Sequence, residues 1–293
     1  MSPASANIPS DGVQIFTVTN TGTIPATNIT MTISGNVQGQ LVGLPIYSSG
    51  CASLLPASSA CTITIQAVTS PSGQAGIGTI QGTNTAAPSP VVSIFILPVC
   101  TVLSATTVTN SGGTIVTGAV CVAPGTAITG FPPGQTTPAA NQLHANDSIA
   151  SSDHTDANTL FNSIAGLTCT DIITTDLAGL ILPPGVYCFN TAAATLAAGG
   201  ILTLNGSVTN QWYFKIGTTL TTGANSSVLL TGGAVAGNVF WQIGSSATFG
   251  ADTAFAGQVV AFTSLTVGAG LSNSGRLWVL NAAITLDTNI ISP

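Results

Sequence analysis

The feature that most restricts what this chain can fold into is a three-residue pattern that returns at a stride close to twenty residues. It reads hydroxyl or small residue, apolar residue, then Thr or a small residue. The pattern stands as TVT at 107–109, AIT at 127–129, TLA at 195–197, TLT at 219–221, SAT at 246–248, SLT at 264–266 and AIT at 283–285. In a strand, residues i and i+2 share a face, so packing the central residue inward turns the first and third outward together. A stride of about twenty residues suits one coil of a β-helix, three short strands joined by three corners. Stacked coils then predict two outward ranks. One is Thr107, Ala127, Thr195, Thr219, Ser246, Ser264 and Ala283; the other is Thr109, Thr129, Ala197, Thr221, Thr248, Thr266 and Thr285.

Composition narrows the function classes. Charged residues are 3% of the chain, eight Asp and no Glu against Lys215 and Arg276, where ordinary soluble proteins carry roughly a quarter. Two cations make no basic patch, which argues against nucleic acid as a partner and against docking on anionic membranes. Apolar residues reach 45%, yet Gly, Thr, Ser and Asn break every run before the eighteen or more needed to span a bilayer, so no membrane insertion is expected. Abundant Gly and Thr with few Glu, Lys, Arg or Met favour strands and turns. The start, MSPASANIPSDG, lacks the basic and apolar regions of a signal peptide and is expected to begin a mature fragment. Six cysteines, Cys51, Cys61, Cys100, Cys121, Cys169 and Cys188, form an even set without metal-type spacing, which suggests disulfides and hence a secreted or cell-surface location. Fifteen connectivities are open; separations of one stride favour 100 with 121 and 169 with 188, leaving 51 with 61 across a short loop.

The chain reads as two domains, 1–98 and 99–293. Within 11–97, VQIFTVTN, NITMTIS, CTITIQAV, GIGTIQG and VVSIFIL alternate between turn signals, as strands of a β-sandwich do. With TNTG…ATNIT and C…L…P…SSACTITI, this stretch resembles the immunoglobulin-like modules of bacterial surface proteins. In the second domain, Leu143, Asn146, Ala150, Ala157, Leu160, Phe161, Ile164 and Leu167 recur at helical spacing, predicting a helix at about 139–166. Its stripe is expected to dock on the apolar column formed by WYFKI, NVFWQI, GQVVAF and GRLWVL, with Trp212, Trp241 and Trp278 beneath it.

From TVTNSGGTIVTGAVCVAPGTAITGFPPG through HANDSIASSDHTDANTLFNSIAGLT, LPPGVYCF and NQWYFKIGTTLTTGANSSVLLTGG to AAITLDTN, residues 101–293 resemble the ice-binding protein family of cold-adapted bacteria, fungi and algae. That resemblance implies a mainly β fold: a discontinuous, triangular, right-handed β-helix with one long helix alongside, here following an immunoglobulin-like sandwich. It also implies that the last coil packs beside the first, and that the chain is a non-enzymatic antifreeze protein whose partner is the ice crystal surface. The residues so implicated are Thr107, Thr109, Thr129, Thr195, Thr219, Thr221, Ser246, Thr248, Ser264, Thr266, Ala283 and Thr285. Strand geometry supplies a reason, since neighbouring outward positions lie roughly 6.7 Å apart along a strand and about 4.8 Å apart between coils, close to repeats on ice planes. Each Thr holds a methyl and a hydroxyl on a stiff side chain.

The plainer reading is that Thr and Ser merely suit exposed strands; it predicts interchange with Lys, Gln or Glu, none of which occurs at the fourteen positions. A polysaccharide-cleaving β-helix needs clustered carboxylates and a cation. Asp171 with Asp176 and the isolated Asp252 and Asp287 are a poor match, so no catalytic residue, metal or cofactor is expected. His144, Asp147, Asp153, His154 and Asp156 read as a solvated helix face rather than a metal cluster. The alternative function is a surface adhesin or polysaccharide binder using the β-helix as spacer or binding face, with neighbouring surface-protein domains as partners; it calls for exposed aromatic platforms.

Overall fold

The computed structural model describes residues 5–9, 13–21, 23–27, 30–35, 41–42, 54–67, 75–81, 91–97, 100–137, 142–189 and 193–293. The chain divides into two compact units, Met1–Val99 and Cys100–Pro293.

In the first unit, Val13–Thr19 pairs antiparallel with Ala60–Ala67, which also takes Leu41–Val42. A second sheet joins Ser5–Pro9, Val91–Leu97, Ala75–Gln81 and Thr30–Gly35 in that order, and a third is the pair Ala26–Thr27 with Leu54–Leu55. Phe16 faces Ile63 across the first sheet, and both are fully buried. Cys51, the expected partner of Cys61, lies outside the described residues.

In the second unit, short strands build three parallel sheets of nine, seven and eight strands, and each full coil visits all three. The alternation read from the sequence decides which side chains fill the interior: Leu220, Ala247, Leu265 and Ile284 are buried one above another on the seven-stranded sheet. Coil order in space differs from chain order. Thr107–Asn110 pairs with Ala127–Thr129 on one side and with Ile284–Leu286 on the other, so the last coil closes against the first.

The interior is packed with aromatic rings. Phe214 stacks on Trp241 at 3.9 Å between centroids, Tyr187 on Phe214 at 5.5 Å, and Phe255 tilts against Trp241 at 4.9 Å. This corrects the expected place of the tryptophans. Trp212 and Trp241 are fully buried inside the coils, their indole N–H groups donating to Leu182 O and Ala256 O. Trp278 alone turns to the outer side, donating to Cys100 O. A one-residue phase difference explains it: Phe214 and Trp241 align with Val259 and Leu277, whereas Trp278 aligns with Val260 and Leu103, and adjacent strand residues face opposite ways.

The helix runs Ser148–Ala165 and lies on the nine-stranded sheet, burying Ala150, Asp153, Ala157 and Ile164. It is shorter than expected at its start. Leu143–Ala145 forms a strand with Ala119–Val122, Asn146 takes a positive φ of 52°, and Asp147 caps the helix by accepting the Ala150 N–H at 2.9 Å. Leu143 and Asn146 match the helical spacing only by coincidence. The solvated-face expectation also needs correcting. Asp153 is 1% exposed and accepts the Cys100 N–H at 2.7 Å, while His154 Nε2 lies 2.9 Å from Leu280 O. Two disulfides, Cys100–Cys121 and Cys169–Cys188, join neighbouring coils with Cα separations of 5.7 and 5.8 Å.

Most buried polar groups at the corners are satisfied. Thr114 donates to Asn110 Oδ1 at 2.6 Å, and Asn110 donates to Gly130 O at 2.8 Å. Asn273 differs: it is 2% exposed, aligned with Phe255 and Ile291, and neither amide atom has a partner among the described residues. An unsatisfied buried polar group costs about 1–3 kcal/mol. Asn273→Leu is expected to raise the melting temperature by about 2–4 °C, read by calorimetry; a drop would show that the amide stabilises the core.

Candidate functional site

The seven-stranded sheet presents the recurring pattern. Its central strands, Leu220–Thr222, Ala247–Phe249, Leu265–Val267 and Ile284–Leu286, each bury the outer two residues and expose the middle one. Register brings the exposed residues into one line. Thr129 pairs with Thr109, Thr109 with Thr285, Thr285 with Thr266, Thr266 with Thr248, Thr248 with Thr221 and Thr221 with Thr195. Seven consecutive rungs carry Thr, all exposed.

This line differs from the expected second rank at one rung. Thr195 was expected in the first rank beside Thr219, and Ala197 beside Thr221; instead Thr195 aligns with Thr221. The buried partners set this register, Ala194 against Leu220 and Leu196 against Thr222. A shift of two residues preserves which side faces out, so Thr195 stays on the face and Ala197 leaves the line.

The first rank runs beside it along the sheet margin. Thr107 pairs with Ala127, and the carbonyls of Thr219, Ser246, Ser264 and Ala283 accept from the first strand residue of the neighbouring coil. Ser246 and Ser264 share a hydroxyl–hydroxyl contact of 2.9 Å. On the other flank stand Gly223, Gly250 and Gly268. A Cβ on Gly223 would strike the backbone of Ala198, and one on Gly250 the backbone of Gly223 and Ala224. At these three rungs the corners pack too closely to carry a side chain beside the Thr line.

Within the line the hydroxyls are not equivalent. Thr109, Thr221, Thr248, Thr266 and Thr285 donate to no protein group among the described residues, so their protons are available to water. Thr129 makes only a 3.5 Å approach to Val108 O. Thr195 donates to Asp176 Oδ2 at 2.6 Å. The line itself carries no charged residue.

From the sequence, Asp176 reads only as a poor match to an enzyme carboxylate; its place at the sheet edge emerges in the fold. Its signal was the TTDLAG turn, in which Asp176 Oδ1 accepts the N–H of Ala178 two residues on. Burial alone would raise the Asp176 carboxyl, but the Thr195 hydroxyl and the Ala178 and Ala197 N–H groups hold it below its ordinary 3.8. Asp147 behaves alike: burial opposes, while the Ala150 N–H and then His144 bring it below 3.8. Both carboxyls bind protons less readily folded than unfolded. Their stabilisation is therefore complete above about pH 4–5 and lost as pH falls below the unfolded value through the folded one. The melting temperature is expected to be level above pH 5 and to fall below pH 4. Asp176→Asn should flatten that fall, and an unchanged profile would remove Asp176 as a contributor.

The second unit is thus a three-sided parallel β-helix that carries an in-register Thr line on one side. The model of the ice-binding-like family matches residues 102–292, and the chain belongs to that family. Over 195 residues it is 42% identical to an ice-binding protein of Nostoc sp. (strain HG1), covering 65% of this chain and 70% of that one. The ice-binding protein structures from an Antarctic biological consortium and from the ascomycete Antarctomyces psychrotrophicus are each 36% identical over 67% of this chain. They are covered to 87% and 94%, with TM-scores of 0.63 and 0.62. Among the described residues no helix is long and apolar enough to cross a membrane.

Proposed function

We propose that residues 100–293 adsorb to ice through the Thr line from Thr129 to Thr221, with Thr107, Thr219, Ser246, Ser264 and Ala283 completing the face beside it. The protein acts by binding rather than catalysis, holding back the ice front between adsorbed molecules and so producing thermal hysteresis and inhibiting recrystallisation. The observation that carries the reading is the run of seven Thr in register, five with hydroxyl protons free for water. The β-branched side chain restricts rotation, and the sheet fixes spacing at roughly 4.8 Å between rungs, so the array is ordered before water meets it. Each contact is weak, and adsorption follows from many acting together.

The adhesin or polysaccharide reading is not favoured. Trp212 and Trp241 are sealed inside the coils and Trp278 is 3% exposed, so none offers a platform for a sugar ring. We read residues 1–98 as an immunoglobulin-like sandwich and the whole as secreted or displayed at the cell surface. The antiparallel strand pairs of the first unit and the disulfides of the second support this. Nanolitre osmometry on the full chain is the test: a temperature gap between melting and growth is expected, and growth at the melting point would reject the reading.

A further inference from the structure

The Thr line has two ends, and one is built around a carboxylate. Ala194–Leu196 is the last strand of the seven-stranded sheet, and an open sheet edge normally leaves backbone groups without partners. Here the segment 176–178 takes the part of a further strand. Leu177 N–H donates to Thr195 O at 2.9 Å, and Asp176 Oδ1 accepts the N–H groups of Ala178 at 2.8 Å and Ala197 at 3.0 Å. The other carboxylate oxygen takes the Thr195 hydroxyl proton at 2.6 Å.

A hydroxyl has one proton to donate. In Thr109, Thr221, Thr248, Thr266 and Thr285 no protein acceptor claims it, whereas in Thr195 it is held by a charge-assisted bond, the stronger kind. We infer that Asp176 is a boundary residue of the adsorbing face: it withdraws the Thr195 hydroxyl from the array and ends the face at Thr221. This rests on the reading of the Thr line as the ice-contacting surface. Asp176 touches no ice itself. It acts through Thr195, and it places a hydrated charge where the array stops.

The donor pattern of asparagine gives a sharp test. In Asp176→Asn the amide oxygen can keep the bonds from Ala178 and Ala197, while the NH2 group faces Thr195, which must then accept. Its proton turns to water and the face gains a rung. Thermal hysteresis of the full chain is measured for wild type, Thr195→Val, Asp176→Asn, the double variant and Thr248→Val, with melting temperatures alongside. Thr195→Val is expected to leave the activity nearly unchanged. Asp176→Asn should raise it by roughly a fifth, as six water-facing hydroxyls replace five, and adding Thr195→Val should cancel that gain. A purely structural role would lower activity in Asp176→Asn whether or not Thr195 is present. The inference is overturned if Thr195→Val is as damaging as Thr248→Val, or if the Asp176→Asn change persists in the double variant. Thr195→Val keeps Asp176 in place, so that arm decides even where Asp176→Asn folds poorly. If Thr248→Val is also silent, the Thr line is not the adsorbing surface, and the boundary role goes with it.

Discussion

Replacing Thr248 with tyrosine is expected to remove most of the thermal hysteresis, at least about five-fold, while leaving the folded chain as stable as before. Thr248 occupies a middle rung, aligned with Thr221 on one side and Thr266 on the other. A phenol there stands clear of the plane formed by its neighbours and props the whole array away from a flat crystal surface, which multiplies a local clash across many contacts. Because the side chain is exposed, the fold has little reason to respond; surface substitutions usually stay within about 0.5 kcal/mol. Thr266→Tyr should behave alike. Thr117→Tyr supplies the control, since Thr117 is exposed on the eight-stranded sheet and should leave hysteresis untouched. Osmometry with circular dichroism checks the set. Full activity in both Thr248→Tyr and Thr266→Tyr would dismiss this face.

The second large effect concerns stability. Asp153 is buried on the helix face that meets the sheet, accepts the Cys100 N–H, and lies near enough to Arg276 to oppose the downward shift that burial gives its guanidinium. Removing Asp153 leaves the buried Cys100 N–H without its acceptor, and a buried donor left unsatisfied costs about 1–3 kcal/mol. Asp153→Ala should therefore lower the melting temperature of this unit by roughly 5 °C. Asp153→Asn should recover part of the loss by keeping an acceptor for Cys100. A shift under about 2 °C for Asp153→Ala would mean that this hydrogen bond does not hold the helix to the sheet.

The contrast between these residues marks how far the sequence alone could be read. The Thr pattern was visible because it is set by strand alternation and coil length, both local. The rank of Thr195 was not, because the pairing of Ala194 with Leu220 depends on how the neighbouring coil lies, and strides here vary. Trp241 and Trp278 have similar flanks, yet a single residue of phase sends them to opposite sides of one sheet. Leu143 fitted the helical spacing, but a strand partner in Ala119–Val122 and the cap at Asp147 took precedence over the pattern. Asp153 resembled its polar neighbours until the helix was docked, where the backbone N–H of Cys100 gives it a reason to be inside.

The pairing of Thr107–Asn110 with Ile284–Leu286 bears on synthesis as well as on shape. The rung that joins both halves of the array comes from residues translated after every other rung. Until they leave the ribosome, the strand edges of the early coils and of residues 265–267 stay open, exposed to aggregation. The contact that closes the array is thus one of high sequence separation, the kind that topology makes slow to form.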